Sequence, residues 1–109
     1  MKYAVVTFGC RVNQAESLII EDGLRGQGAV AASTDDADLV VVNTCSVTAS
    51  ADQSARQTIR RIARANPGVC IVVTGCYATR QREEAAALPN VVEVVPNADK
   101  DEIRNRVWF

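Results

Sequence analysis

The sequence predicts an α/β domain, a flavodoxin-like or Rossmann-like three-layer fold with a mostly parallel sheet of about five strands. Three observations predict it. Apolar β-branched runs alternate with amphipathic stretches along the whole chain. The runs are continuously apolar, as strands covered on both faces require. The 109 residues, 48 % hydrophobic, provide for one core and one domain spanning 1–109.

The elements follow in order. YAVVTF at 3–8 is a short β-branched strand that stops at Gly9. NQAESLIIEDGLRGQ at 13–27 has a helical period, with Leu18, Ile19 and Leu24 on one side and Asn13 and Gln14 as its capping start. Gly26 and Gly28 end that helix, AVAA is a weak edge strand, and STDDAD is a polar connection. LVVVN at 39–43 is a buried strand. The clearest helix covers 50–66, where Ala55, Ile59, Ile62 and Ala63 form an apolar stripe and NPG closes it. VCIVVTG at 69–75 is a further buried strand, TRQREEAAAL reads as one helix, VVEVV at 91–95 is the last strand, and ADKDEIRNRVWF a terminal helix. The chain closes on Trp108 and Phe109, large apolar residues unusual in a free tail, so a domain cut from a longer protein is expected, with these two at its interface.

Composition narrows the function classes. Twelve basic residues against 13 acidic leave a formal charge of −1, which excludes nucleic-acid binding by bulk electrostatics and gives no reason to expect DNA as a partner. Any such contact is local. No apolar run approaches the roughly 20 residues of a membrane span, and the N-terminus has no basic leader, so the expected compartment is the cytoplasm. Histidine is absent and cysteine occurs four times, which removes imidazole catalysis and leaves thiol chemistry.

Three cysteines share one kind of position. Cys10 follows the first strand through Gly9, Cys45 follows LVVVNT, and Cys76 follows the fourth strand through Gly75. In a parallel sheet the strand C-termini lie along one edge, and with the order 2-1-3-4-5 strands one, three and four are neighbours. Widely separated thiols converge there or not at all. Structural zinc sites use a close Cys pair and four protein ligands, and neither is found here, whereas iron–sulfur clusters accept distant thiolates. On spacing alone a cluster, a disulfide and three unrelated strand-end cysteines all remain open. Cys70, inside the apolar strand, reads as a small hydrophobe.

Three blocks carry more than spacing. TFGCRVNQAES, VVNTCSVTASAD and VVTGCYATR, with NADK (Asn97, Lys100) near the end, resemble in order and spacing the N-terminal domain of methylthiotransferases, which are radical S-adenosylmethionine enzymes. The segment after NTC looks most like the branch that modifies N6-threonylcarbamoyladenosine (t6A) in transfer RNA beside the anticodon. Neighbouring branches act on isopentenyladenosine in transfer RNA or on a ribosomal protein.

The resemblance implies that Cys10, Cys45 and Cys76 ligate an auxiliary [4Fe–4S] cluster whose open iron carries the sulfur to be inserted. It also implies a second [4Fe–4S] cluster and S-adenosylmethionine in a radical domain absent from these residues, so the fragment is not expected to turn over alone and contributes no catalytic residue of its own. A small RNA-binding domain is likewise absent. Pro96 stands where relatives commonly have Gly.

Asn43 and Thr44 precede Cys45, where either their side chains or amides would hydrogen-bond cluster sulfurs or the side chains would satisfy loop backbone. Gly9 and Gly75 precede cysteines, where glycine permits a tight turn or a close approach. Arg56, Arg60, Arg61 and Arg64 fall at helical spacing, and with Arg80 and Arg82 give segment 52–82 six arginines against one aspartate. The stripe reads either as RNA phosphate contacts, with the anticodon stem-loop as partner, or as a solvated helix face. A non-enzymatic α/β interaction module without a cluster is the alternative from another class.

Overall fold

A computed structural model describes residues 2–8, 11–44 and 49–95, with side chains at all of these except 11–13, 16, 49–52 and 76. β-branched runs favour extended backbone, and the runs assemble into one sheet. Its strands are β1 (Lys2–Thr7), β2 (Val30–Ala31), β3 (Leu39–Thr44), β4 (Cys70–Gly75) and β5 (Val91–Val95). The order is β2-β1-β3-β4-β5 and every pairing is parallel. That is the flavodoxin-like order, with two-residue β2 at the edge.

The helices between strands are α1 (Arg11–Gly26), α2 (Ala49–Ala65), α3 (Cys76–Arg80) and α4 (Arg82–Ala86). Alternate residues of each strand point to opposite faces and so divide the core in two. Val40, Val42, Ile71, Val73 and Val94 pack with Ala55, Ile59, Ile62 and Ala63 of α2 and with Tyr77, Ala78 and Ala85 of α3 and α4. Tyr3, Leu39, Val41, Val72 and Val95 face the other way, against Ile20 and Leu24 of α1. The three layers are therefore α1, the sheet, and α2 to α4. Cys70 is half-buried against the α1-side cluster, the hydrophobic-filler role expected of it.

Three expectations change. Leu18 and Ile19 are not on the packed side of α1: they are 62 % and 65 % exposed, while Ser17, Ile20 and Leu24 at i, i+3 and i+7 are buried. The helical period holds but its phase differs, because LII offers several phases and only the tilt of α1 on the sheet selects one. Asn13 and Gln14 do not cap α1, which begins two residues earlier at Arg11, and Gln14 is exposed. The helix expected from TRQREEAAAL is two short ones. α3 starts at Cys76 directly from β4 and stops at Gln81, whose φ of −124° and ψ of 50° break the helix while its N–H still bonds Tyr77 O at 2.8 Å.

At the opposite edge of the sheet, Asn66 Nδ2 donates to Thr34 O at 3.1 Å and to Ala37 O at 2.8 Å, which fixes the end of α2 beside the entrance to β3. Asn90, at φ 65°, similarly donates to Pro67 O and Val69 O, each at 2.9 Å. No helix among the described residues is long and apolar enough to cross a membrane. The terminal helix, Pro96, Asn97, Lys100, Trp108 and Phe109 lie outside the described residues.

Candidate metal centre

The three cysteine-bearing segments leave the sheet from adjacent strands at one level. Thr7 of β1 pairs with Asn43 of β3, Asn43 pairs with Thr74 of β4, and Thr44 pairs with Gly75. Phe8 N extends the ladder by donating to Asn43 O at 2.9 Å. Parallel strands lie about 4.8 Å apart, so these three exits span only about 10 Å. Cys45 and Cys76 are the residues directly after the paired Thr44 and Gly75, and Cys10 comes two after Phe8. Cys10, Cys45 and Gly9 lie outside the described residues, and Cys76 is described in its backbone, as the first residue of α3.

Four buried polar residues organise this edge, and each has a partner within the protein. Ser17 Oγ on α1 lies 2.7 Å from Thr7 Oγ1 and accepts from Asn43 Nδ2 at 3.0 Å. Thr44 Oγ1 donates to Thr74 O at 2.7 Å and accepts from Tyr77 N at 3.1 Å. Thr74 Oγ1 donates to Val95 O at 2.7 Å, tying β4 to the end of β5. A buried hydroxyl or amide without a partner costs about 1–3 kcal/mol, so these pairings hold the edge in one arrangement.

Of the two roles expected of Asn43 and Thr44, the described geometry records hydrogen bonds within the protein. A hydroxyl has one proton, and that of Thr44 is directed to Thr74 O; an amide proton of Asn43 is directed to Ser17. Their observed work is to join the segments that carry the cysteines.

Gly75 is required by the same packing. Its φ of 96° and ψ of −161° belong to a region reserved for glycine, and a Cβ there would overlap Thr44 O and come 2.6 Å from Thr44 Oγ1. The close approach expected of a glycine before Cys76 is thus an approach to β3 backbone.

Behind the edge, Tyr77 is 1 % exposed and packs among the α2-side core residues. Burial pushes its phenol up in pKa, with Arg56 pulling the other way. Arg56 Nη1 donates to Glu84 Oε1 at 2.7 Å, which links α2 to α4. Sequence reading missed Ser17, Tyr77 and Glu84. Ser17 alone had a legible signal, a small polar residue on the apolar stripe with Ile20 and Leu24.

Arg56 therefore serves as an ion-pair partner within the fold. Arg60, Arg61 and Arg64 remain exposed, and none of them has an ion-pair partner among the described residues. They lie in the second half of α2, whose end is fixed at the edge opposite the cysteines; Arg60 is 11 residues past Ala49, about 16 Å along the axis. Arg61 and Arg64, with Gln57 and Thr58, line a shallow depression of about 420 Å³.

The donor set fits a thiolate-held iron–sulfur group. A cysteine follows in sequence each of three neighbouring strands whose described ends lie at one level, and the chain contains no histidine to compete with those thiols. Residues 2–96 match the family model described as "Uncharacterized protein family UPF0004". The chain belongs to the UPF0004 family.

Curated relatives of this UPF0004 chain bear methylthiotransferase names. It is 41 % identical over 104 residues to the threonylcarbamoyladenosine tRNA methylthiotransferase MtaB of Aquifex aeolicus, covering 94 % of the chain and 25 % of the relative. Identity is also 41 %, over 93 residues, to the ribosomal protein uS12 methylthiotransferase RimO of a Roseiflexus species, covering 84 % and 20 %. To the tRNA-2-methylthio-N(6)-dimethylallyladenosine synthase of Sorangium cellulosum it is 36 % over 102 residues, covering 90 % and 20 %. The chain thus spans about a quarter or less of the length of these relatives. Among solved structures, a pilus assembly-related protein of Burkholderia pseudomallei superposes with TM-score 0.63 over 97 % of this UPF0004 chain and 87 % of its own. At 13 % identity that likeness concerns the fold alone.

Proposed function

We propose that this chain is the sulfur-donating domain of a cytoplasmic transfer RNA methylthiotransferase, with Cys10, Cys45 and Cys76 holding an auxiliary [4Fe–4S] cluster. The observation that carries the reading is the level exit of β1, β3 and β4, each followed within a few residues by one of these cysteines. Held by three thiolates, such a cluster leaves one iron open for the sulfur to be transferred. The chain's own residues position the thiols and bury the polar groups behind them. Hydrogen abstraction from the substrate belongs to a radical S-adenosylmethionine domain outside these residues, with its own [4Fe–4S] cluster, which would pack against this domain.

The substrate we assign is t6A next to the anticodon, converted to its 2-methylthio form. The NTCSVTASAD block and the MtaB relatives at 37–41 % identity support it. The RimO relative at 41 % favours ribosomal protein uS12 as the second reading. Arg60, Arg61 and Arg64 are assigned to phosphates of the transfer RNA stem, away from the reacting base.

Anaerobic reconstitution of the chain with iron and sulfide tests the site: about four irons and broad [4Fe–4S] absorbance are expected, lost in Cys45→Ala and kept in Cys70→Ala. A wild-type chain that takes up no iron overturns the reading in favour of an interaction module. Deleting the parent gene tests the substrate. Loss of 2-methylthio-t6A is expected, and loss of methylthiolation on uS12 or dimethylallyladenosine instead would move the chain to another branch.

A further inference from the structure

We propose that the Thr44 hydroxyl is a latch that sets the spacing between the segments carrying Cys45 and Cys76, which makes Thr44 a positioning residue for the thiol site. Its importance for a cluster rests on the function proposed above; the latch itself does not. Thr44 is 3 % exposed and is the last residue of β3. Its Oγ1 donates to Thr74 O at 2.7 Å and accepts from Tyr77 N at 3.1 Å, so one atom holds the end of β4 and the first turn of α3, on either side of the Gly75–Cys76 step.

Strand pairing alone would not achieve this. The ladder between β3 and β4 ends at Thr44 and Gly75, and beyond a last pair two chains are free to diverge. The hydroxyl extends the attachment into the first turn of α3, past Cys76. Gly75 makes room for it, since a Cβ there would overlap Thr44 O. The residue before one thiol thus holds the residues on either side of another. Thr44 touches no reacting group in this role; it acts through the positions of Cys45 and Cys76.

Valine matches threonine in shape and makes neither bond, whereas serine keeps both. In metal-free chain carrying Cys10→Ala and Cys70→Ala, a short bifunctional thiol reagent should join Cys45 to Cys76. The rate is expected to fall roughly tenfold in Thr44→Val, the scale of two hydrogen bonds removed, and to recover in Thr44→Ser. Thr44→Ala provides a second hydroxyl-free variant if the valine form does not fold. Equal rates in folded wild-type and hydroxyl-free chains overturn the latch.

In chain with all four cysteines, reconstituted and reduced, the paramagnetic resonance line shape and reduction potential should shift in Thr44→Val and return in Thr44→Ser. If they stay fixed while cross-linking changes, the positioning role for a cluster is overturned. A wild-type chain that binds no iron defeats the cluster reading, and cross-linking still decides the latch.

Discussion

Asn43 of β3 and Ser17 of α1 meet in the buried layer behind the thiol edge, Asn43 Nδ2 donating to Ser17 Oγ at 3.0 Å. The same Ser17 oxygen lies 2.7 Å from Thr7 Oγ1, so one hydroxyl joins the ends of β1 and β3 to the helix that follows Cys10. Replacing Ser17 with Ala removes both hydrogen bonds while leaving the volume nearly unchanged. The expected loss is about 1–2 kcal/mol in urea denaturation. A variant as stable as the wild type would show that this hydroxyl contributes nothing.

Gly75 provides a sharper test of the same edge. Gly75→Ala must adopt φ near 96° and place a methyl group into Thr44 O. We expect a loss of about 3 kcal/mol or more in chemical denaturation. Gly68→Ala is the control, because nothing lies within 4 Å of a Cβ built there, and its effect should stay within about 0.5 kcal/mol.

The phase of α1 is checked by comparing two leucines six residues apart. Leu24 is fully buried between α1 and the sheet, and Leu24→Ala should cost about 2–5 kcal/mol. Leu18 is 62 % exposed, and Leu18→Ser should change stability by no more than about 0.5 kcal/mol. A loss of about 2 kcal/mol or more in Leu18→Ser would restore the phase expected from the sequence, which placed Leu18 on the packed side with Leu24.

Arg56, paired with Glu84, and the arginines proposed above to contact transfer RNA call for different assays. Arg56→Ala and Glu84→Ala should show a small coupling in a double-mutant cycle that weakens as salt rises, as exposed ion pairs do. On the function proposed above, replacing Arg60, Arg61 and Arg64 with Glu in the full-length parent protein should leave iron loading unchanged. Transfer RNA binding should weaken and depend less steeply on log salt, because fewer phosphates are neutralised and fewer counterions released. Unchanged binding would return these three to a solvated helix face.

What the sequence determined by itself was the material of the fold and which strands the cysteines follow. Short, continuous β-branched runs bounded by turn residues favour strands covered on both faces, and the stripe of Ala55, Ile59, Ile62 and Ala63 follows a helical period, so the sheet and α2 were legible in one dimension. Parallel connections send every strand C-terminus to one edge, so the positions of Cys10, Cys45 and Cys76 after β1, β3 and β4 already marked that edge.

Tertiary structure decided whatever depends on a partner distant in sequence. Which face of α1 packs, that Asn43 and Thr44 bond to Ser17, Thr74 and Tyr77, that Gly75 yields to Thr44, and that Arg56 leaves the basic stripe for Glu84 all rest on pairs 10 to 33 residues apart where hydrogen bonds record them. Local propensity and periodicity carry no information about such pairs, because the energy that selects them comes from desolvating polar groups against whichever element the sheet brings alongside.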